Sequence, residues 1–135
     1  MIINSSIDDI KPLFEEVYRK TFSPNIPKLE ESIEGEVIYS YFDNSILGFA
    51  TVWEEDFFIH FLFVKESERH KKIGTKLIKH LLSTYNSPLK LKCLIKNEGA
   101  LKFYKKLGFK ELSRGYSEDG EYALLSIEKI LDSTL

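Results

Sequence analysis

The sequence of 135 residues predicts an α/β (α+β) fold in a single domain over residues 1–135, with a mixed central sheet and helices on both faces. Three observations carry this. The apolar run from Phe57 to Val64 leads through a short polar turn into an apolar-periodic run, Ile73, Leu77, Ile78, Leu81 and Leu82, so a strand is followed directly by a helix. Two stretches rich in β-branched and aromatic residues, Glu36 to Phe42 and Ile46 to Trp53, flank Asp43-Asn44-Ser45 and read as a hairpin. Ala100, Phe103, Tyr104 and Leu107 form a helical stripe at i, i+3, i+4 and i+7.

Taken in order, Met1 to Asn4 reads as a short strand. Asn4, Ser5 or Ser6 offers an N-cap for a first helix, with Asp8 and Asp9 suited to the positive end of its dipole. Ile7, Ile10, Phe14, Val17 and Tyr18 carry that helix to about Thr21, and Pro12 falls early enough to be tolerated. Ser23-Pro24-Asn25-Ile26-Pro27 breaks the chain before a short helix from Lys28 to Ile33. Phe57 to Val64 lacks polar alternation apart from His60, so both its faces are expected to be covered, as in a central strand. Period two puts His60 on the face of Leu62 and Val64. Asn86-Ser87-Pro88 ends the helix that begins at Ile73, and Leu89 to Ile95 forms the next strand. Gly108 closes the helix that follows, and Phe109 to Tyr116 pairs with Glu121 to Leu131 across Ser117-Glu118-Asp119-Gly120. The expected order is β-α-α-β-β-β-α-β-α-β-β.

Composition narrows the class. Hydrophobic residues at 43% and charged residues at 30% describe an ordinary globular chain. No apolar run is long enough to span a bilayer, no secretory signal is legible at Met1 to Ser5, and a lone cysteine, Cys93, fits a reducing cytoplasm. Three scattered histidines and one cysteine give no metal-ligand spacing, so no metal is expected. The net charge of −2 conceals an uneven distribution. Met1 to His60 carries −8, Phe61 to Lys106 carries +9, and Leu107 to Leu135 carries −3. A basic centre between acidic flanks suits an anion bound in the middle, although solvated surface charge produces the same pattern.

The basic centre begins at the strand-to-helix turn, where Arg69, His70, Lys71 and Lys72 precede Ile73-Gly74-Thr75. Unpaired N–H groups and the helix dipole point at an anion there. Lys72-Ile73-Gly74-Thr75 lacks the residue order of a P-loop. A nucleic-acid surface would need exposed aromatics among the lysines, and Phe103 and Tyr104 lie instead on an apolar stripe.

Two motifs resemble the GNAT superfamily of acyl-CoA-dependent N-acetyltransferases. The first is Arg69-His70-Lys71-Lys72-Ile73-Gly74, similar to the family's Arg/Gln-x-x-Gly-x-Gly/Ala loop. The second begins with Asn97 and Ala100 and continues as Phe103-Tyr104-Lys105-Lys106-Leu107-Gly108-Phe109. They are separated by one strand, with 23 positions from Gly74 to Asn97, and the resemblance covers essentially the whole chain. It implies acetyl-CoA as cosubstrate and an amine as acceptor, with a small cationic amine favoured and a protein amine the other expectation. It implies neither nucleic acid nor membrane as partner, and it leaves a homodimer open. The main-chain groups of Phe63 and Val64 and the side chain of Asn97 would hold the pantetheine arm, with Phe103 beside it. The N–H groups around Lys71, Lys72, Ile73, Gly74 and Thr75 would hold the pyrophosphate, helped by Arg69, the lysines and the Thr75 hydroxyl. The reacting thioester would lie between the strand ending at Val64 and the one starting near Leu89.

The sequence departs from the family at Lys72, where a glycine is usual. Glycine tolerates unusual dihedrals and lets backbone approach a ligand; a lysine adds a cation, but its Cβ is expected to clash or widen the loop. Tyr104 matches the residue expected to assist the departing thiolate. A phenol of pKa ~10 facing a thiol of ~8.5 makes full proton transfer uphill by roughly 2 kcal/mol, so hydrogen bonding serves as well as protonation. His60 stands where a base acting on the amine is found in several members, and a strand histidine without that duty is the plainer alternative. Glu54, Glu55 and Asp56 are secondary candidates that also read as a solvated turn. Cys93 lacks an activating base and reads as a buried strand residue. The rival reading, from a different class, is a CoA sensor or basic-patch binding module without turnover.

Overall fold

The computed structural model describes residues 1–131, so the expected domain end at 135 lies outside the described residues. The strands are β1 Ile2–Asn4, β2 Val37–Asp43, β3 Ser45–Trp53, β4 Phe58–Val64, β5 Leu89–Leu94, β6 Lys110–Ser117 and β7 Gly120–Ile127. The helices are α1 Ile7–Thr21, α2 Leu29–Ser32, α3 Ile73–Tyr85 and α4 Glu98–Leu107. Their order is the one the sequence predicts, and the fold class is α/β (α+β). The chain divides into two compact units, Met1–His80 and Leu81 onward, with the boundary inside α3.

In the first unit β1, β2, β3 and β4 pair antiparallel in chain order. Ser6 caps α1: its Oγ accepts the Asp9 N–H at 3.3 Å, and the Ser6 N–H donates to Asp9 Oδ2 at 3.0 Å. This reciprocal box satisfies two otherwise orphaned donors and draws the Asp9 carboxyl below its ordinary range. The apolar face of α1 packs on β3 and β4. Phe14, fully buried, stacks on Phe63 at 5.7 Å and meets Phe61 edge-on at 5.1 Å, so the centre of this unit is an aromatic cluster.

The strand at the middle of the sequence differs from expectation in three ways. Phe57 is not part of it: with φ +50 it ends a 3-10 turn formed by Glu54–Asp56. Only Ile59 and Phe63 of β4 are fully buried, so its faces are covered less completely than a continuous apolar run suggests. A bulge also interrupts its pairing with β3, since Thr51 faces Phe61 whereas Val52 faces Ile59. His60 is the extra residue. The buried Thr51 hydroxyl accepts the Phe61 N–H at 3.1 Å, replacing a ladder bond that the bulge displaces. Period two fails there, and His60 stacks on Phe61 at 4.2 Å instead of sharing the face of Leu62 and Val64.

In the second unit β5 and β6 pair antiparallel with β7, giving the order β5-β7-β6. β7 ends at Ile127, four residues short of the expected Leu131. Gly108 closes α4 with φ +131, and the Gly108 and Phe109 N–H groups donate to the Tyr104 carbonyl at 3.2 and 3.0 Å. A Cβ at Gly108 would lie 2.8 Å from the Lys129 carbonyl oxygen, so both dihedral and space require glycine.

Candidate functional site

The expected site residues lie on β4 and the turn that follows it in the first unit, and on α4 and its cap in the second. After Val64, residues Glu66–Glu68 form a 3-10 turn. Its end is secured by hydrogen bonds from the Glu68 N–H to the Lys65 carbonyl at 2.9 Å and from the Arg69 N–H to the Glu66 carbonyl at 3.3 Å. The chain then passes through two non-glycine residues with positive φ, His70 at +70 and Lys72 at +64. Such values favour glycine and cost a side-chain-bearing residue free energy. Lys72 therefore adopts the kind of backbone conformation that a glycine would supply. The departure from glycine at Lys72 thus carries backbone strain. Alternation of φ about Lys71 tends to turn successive N–H groups to one side.

The Lys72 carbonyl accepts the Lys76 N–H at 2.9 Å, which makes Lys72 the residue that opens α3. The N–H groups of Ile73, Gly74 and Thr75 have no acceptor within the helix. The Ile73 side chain is core: it is 3% exposed, and a Cβ on Gly48 would come within 2.9 Å of it. Only its main chain can serve a ligand. Gly48 thus lets the start of α3 approach β3 closely.

A cleft of about 490 Å³ opens at this turn, lined by Tyr41, Asp43, Lys65, Lys71, Lys76 and neighbouring residues. Of the expected set it contains Lys71 and Ile73; Arg69, Lys72, Gly74 and Thr75 do not line it. Arg69 Nε donates to the Val64 carbonyl at 3.4 Å, so part of its bonding capacity turns back on the strand end. Lys71 pairs with Glu68 at 2.6 Å. Lys76 and Tyr41 were not singled out by the sequence. The ammonium of Lys76 lies 3.5 Å from the Tyr41 hydroxyl and 5.3 Å from its ring centroid. Their signal was faint: Lys76 lies one helical turn beyond Lys72, and Tyr41 comes from the distant hairpin. Lysines 65, 71 and 76 share the cleft with Asp43 and Glu68, and the start of α3 beside it offers the N–H groups that suit a phosphate-bearing ligand.

Phe63 is 6% exposed and belongs to the aromatic cluster, so only its backbone is available. His60 is exposed, and its Nδ1 lies 2.8 Å from Glu36 Oε2. Glu54, Glu55 and Asp56 are exposed on their 3-10 turn, as the solvated alternative expects.

In the second unit Asn97 caps α4, its Oδ1 accepting the Ala100 N–H at 3.4 Å. Tyr104 is half-buried between Phe103 at 5.3 Å and Phe109 at 5.2 Å, both edge-on. Burial, reinforced by the nearby Cys93, pushes its phenol well above the ordinary range. Phe103 shares the expected stripe but is 37% exposed, so it is not a core residue. Cys93 is buried, and that burial pushes its thiol up to about 11, which holds it protonated and unreactive near neutral pH. Among the described residues no group of three or more His, Cys, Asp or Glu is placed to hold a metal ion. No helix among them is long and apolar enough to cross a membrane.

The model of the acetyltransferase (GNAT) family matches residues 7–109, most of the chain and parts of both units. The chain belongs to this family. Solved structures agree on the fold. A GNAT-family acetyltransferase from Staphylococcus aureus Mu50 is 19% identical, with 94% of this chain and 97% of that one covered at TM-score 0.74. The ribosomal-protein-S18-alanine N-acetyltransferase from Escherichia coli is 16% identical, with 100% and 97% covered at TM-score 0.69. An aminoglycoside 6'-N-acetyltransferase complexed with coenzyme A is 17% identical, with 93% and 95% covered at TM-score 0.70. No curated protein sequence matches the chain.

Proposed function

We propose that this protein is an N-acetyltransferase that moves the acetyl group of acetyl-CoA directly to an amine. The observation that carries the reading is the turn before α3, where Lys72 holds positive φ at the family's glycine position, beside a cleft lined by lysines 65, 71 and 76 together with Asp43 and Glu68. Backbone N–H groups from Lys71 to Thr75 bind the pyrophosphate, and lysines 65, 71 and 76 supply countercharge. Main-chain groups of Phe63 and Val64 and the Asn97 side chain hold the pantetheine arm, with Phe103 offering an exposed ring beside it.

The amine nitrogen attacks the thioester carbonyl carbon, the C–S bond breaks, and the acetyl group leaves on nitrogen. Catalysis is mostly positioning, with backbone donors near Val64 stabilising the oxyanion. Tyr104 donates a hydrogen bond to the departing thiolate. The amine proton passes to His60. A small cationic amine is the favoured acceptor. Of the acidic residues of the first unit, Glu30 pairs with Lys11 at 3.2 Å, Glu31 with Lys28 at 4.0 Å and Glu36 with His60 at 2.8 Å. By their names, the compared enzymes act on aminoglycosides and on a ribosomal-protein alanine, so a protein amine is the second candidate.

A melting experiment separates this reading from a nucleic-acid module. Acetyl-CoA at about a hundred times its Kd stabilises by roughly 2.7 kcal/mol, a rise of several degrees, whereas duplex DNA leaves the transition in place. No shift with millimolar acetyl-CoA contradicts the proposal.

A further inference from the structure

We infer that Glu36 is a positioning residue for His60, holding the imidazole with its proton on Nδ1 so that Nε2 is the exposed acceptor of the amine proton. This rests on the acetyl-transfer reading above and adds to it the group that makes His60 competent.

The pair is unequal in a directional way. The Glu36 side chain is 7% exposed and that of His60 38% exposed, with Nδ1 and Oε2 2.8 Å apart. A carboxylate withdrawn from water is unfavourable unless it is paired, so the contact is a buried anchor for a solvent-facing ring. An ionised carboxylate only accepts hydrogen bonds. Nδ1 must then carry the proton, which leaves Nε2 of the neutral ring with a free lone pair. The other carboxylate oxygen, Oε1, is buried and has no hydrogen-bond partner. A pair selected for stability alone would be expected to satisfy both oxygens; an unsatisfied buried oxygen is the kind of cost found at functional sites.

Both partners are fixed from behind. Gly35, with φ +82, closes a turn in which the Glu36 N–H donates to the Ile33 carbonyl at 2.9 Å. The Trp53 ring packs so closely that a Cβ on Gly35 would lie 3.0 Å from it. His60 occupies the β4 bulge and lies almost parallel to Phe61, at an interplanar angle of 12°. Bulge, ring stack and carboxylate together hold the imidazole against Phe61 with Nδ1 toward Glu36. In the transfer step the attacking nitrogen loses a proton to Nε2. The resulting imidazolium faces the Glu36 carboxylate, and the proton then leaves to water.

The test uses the full chain with acetyl-CoA and an accepted amine. Glu36→Gln is expected to lower kcat roughly tenfold to a hundredfold with the KM for acetyl-CoA unchanged. Added to His60→Ala, it is expected to cause no further loss, because Glu36 acts only through the ring. Nitrogen-15 spectra of the unmodified protein should show His60 protonated on Nδ1 and bare on Nε2, a readout that does not require turnover. A wild-type ring protonated on Nε2, an unchanged kcat in Glu36→Gln, or an undiminished loss in the His60→Ala background overturns the inference. If the wild-type protein transfers no acetyl group to any amine, the functional reading fails, and this role for Glu36 fails with it. The nitrogen spectrum still tells that failure from a misassigned tautomer.

Discussion

Tyr104→Phe is expected to lower kcat by roughly a hundredfold while leaving the KM for acetyl-CoA and the melting temperature nearly unchanged, the size of effect seen when one donor to a developing anion is removed. The phenol is raised by burial and by the nearby Cys93, so it stays protonated throughout the neutral range. The same shift makes complete proton transfer to a thiolate more unfavourable than the roughly 2 kcal/mol expected between unperturbed groups. Tyr104 therefore acts by hydrogen bonding to sulfur as negative charge gathers there. A thioester sulfur is a poor acceptor before the bond breaks, so the loss belongs to the transition state and spares ground-state binding. Phenylalanine keeps the ring contacts with Phe103 and Phe109, which protects the fold. An unchanged kcat would remove Tyr104 from the chemistry.

Lys72→Gly is expected to stabilise the protein and weaken its hold on acetyl-CoA. A side-chain-bearing residue at positive φ costs about 1–2 kcal/mol, and glycine gives back roughly half of the relief through its greater freedom in the unfolded chain. A net gain of about 0.5–1 kcal/mol corresponds to a rise of about 2–5 °C in Tm. Because the backbone of Lys72 is already held at φ +64, glycine opens no new geometry for the ligand and removes one cation. Binding should fall by roughly two- to fivefold, with the difference shrinking as salt is added. A lower Tm would contradict the strain argument, and tighter binding would show that the lysine side chain obstructs the site.

The fold was legible because its signals were local. The periodicity of Ile7 to Tyr18, the breaker at Asn86-Ser87-Pro88 and the glycine at 108 each specify a helix or its end from neighbouring residues. The Asn97 to Phe109 motif was legible for the same reason, since cap, stripe and closing glycine all sit on one helix. What escaped the sequence depended on residues brought together from afar. The β4 bulge moves His60 to the side of Phe61, and no single-strand pattern encodes an irregularity of pairing between two strands. Glu36 lies 24 residues before His60 and reads only as one more acidic residue until the turn at Gly35 places it. Tyr41 and Lys76 meet across 35 positions. The strain at Lys72 was half visible: the missing glycine could be seen, but not that lysine would adopt a backbone conformation that glycine favours.

Direct acetyl transfer is tested by amine-dependent release of the coenzyme A thiol. The purified protein is incubated with acetyl-CoA and a panel of small cationic amines, neutral amines and peptides with free N-termini, and thiol is followed over time. Release is expected to require both protein and amine, to saturate with the amine and to be stoichiometric with acetylated product. Release at the same rate with and without every amine, or no release while acetyl-CoA still raises the melting temperature, would contradict it; the second result would define a CoA-binding protein without turnover.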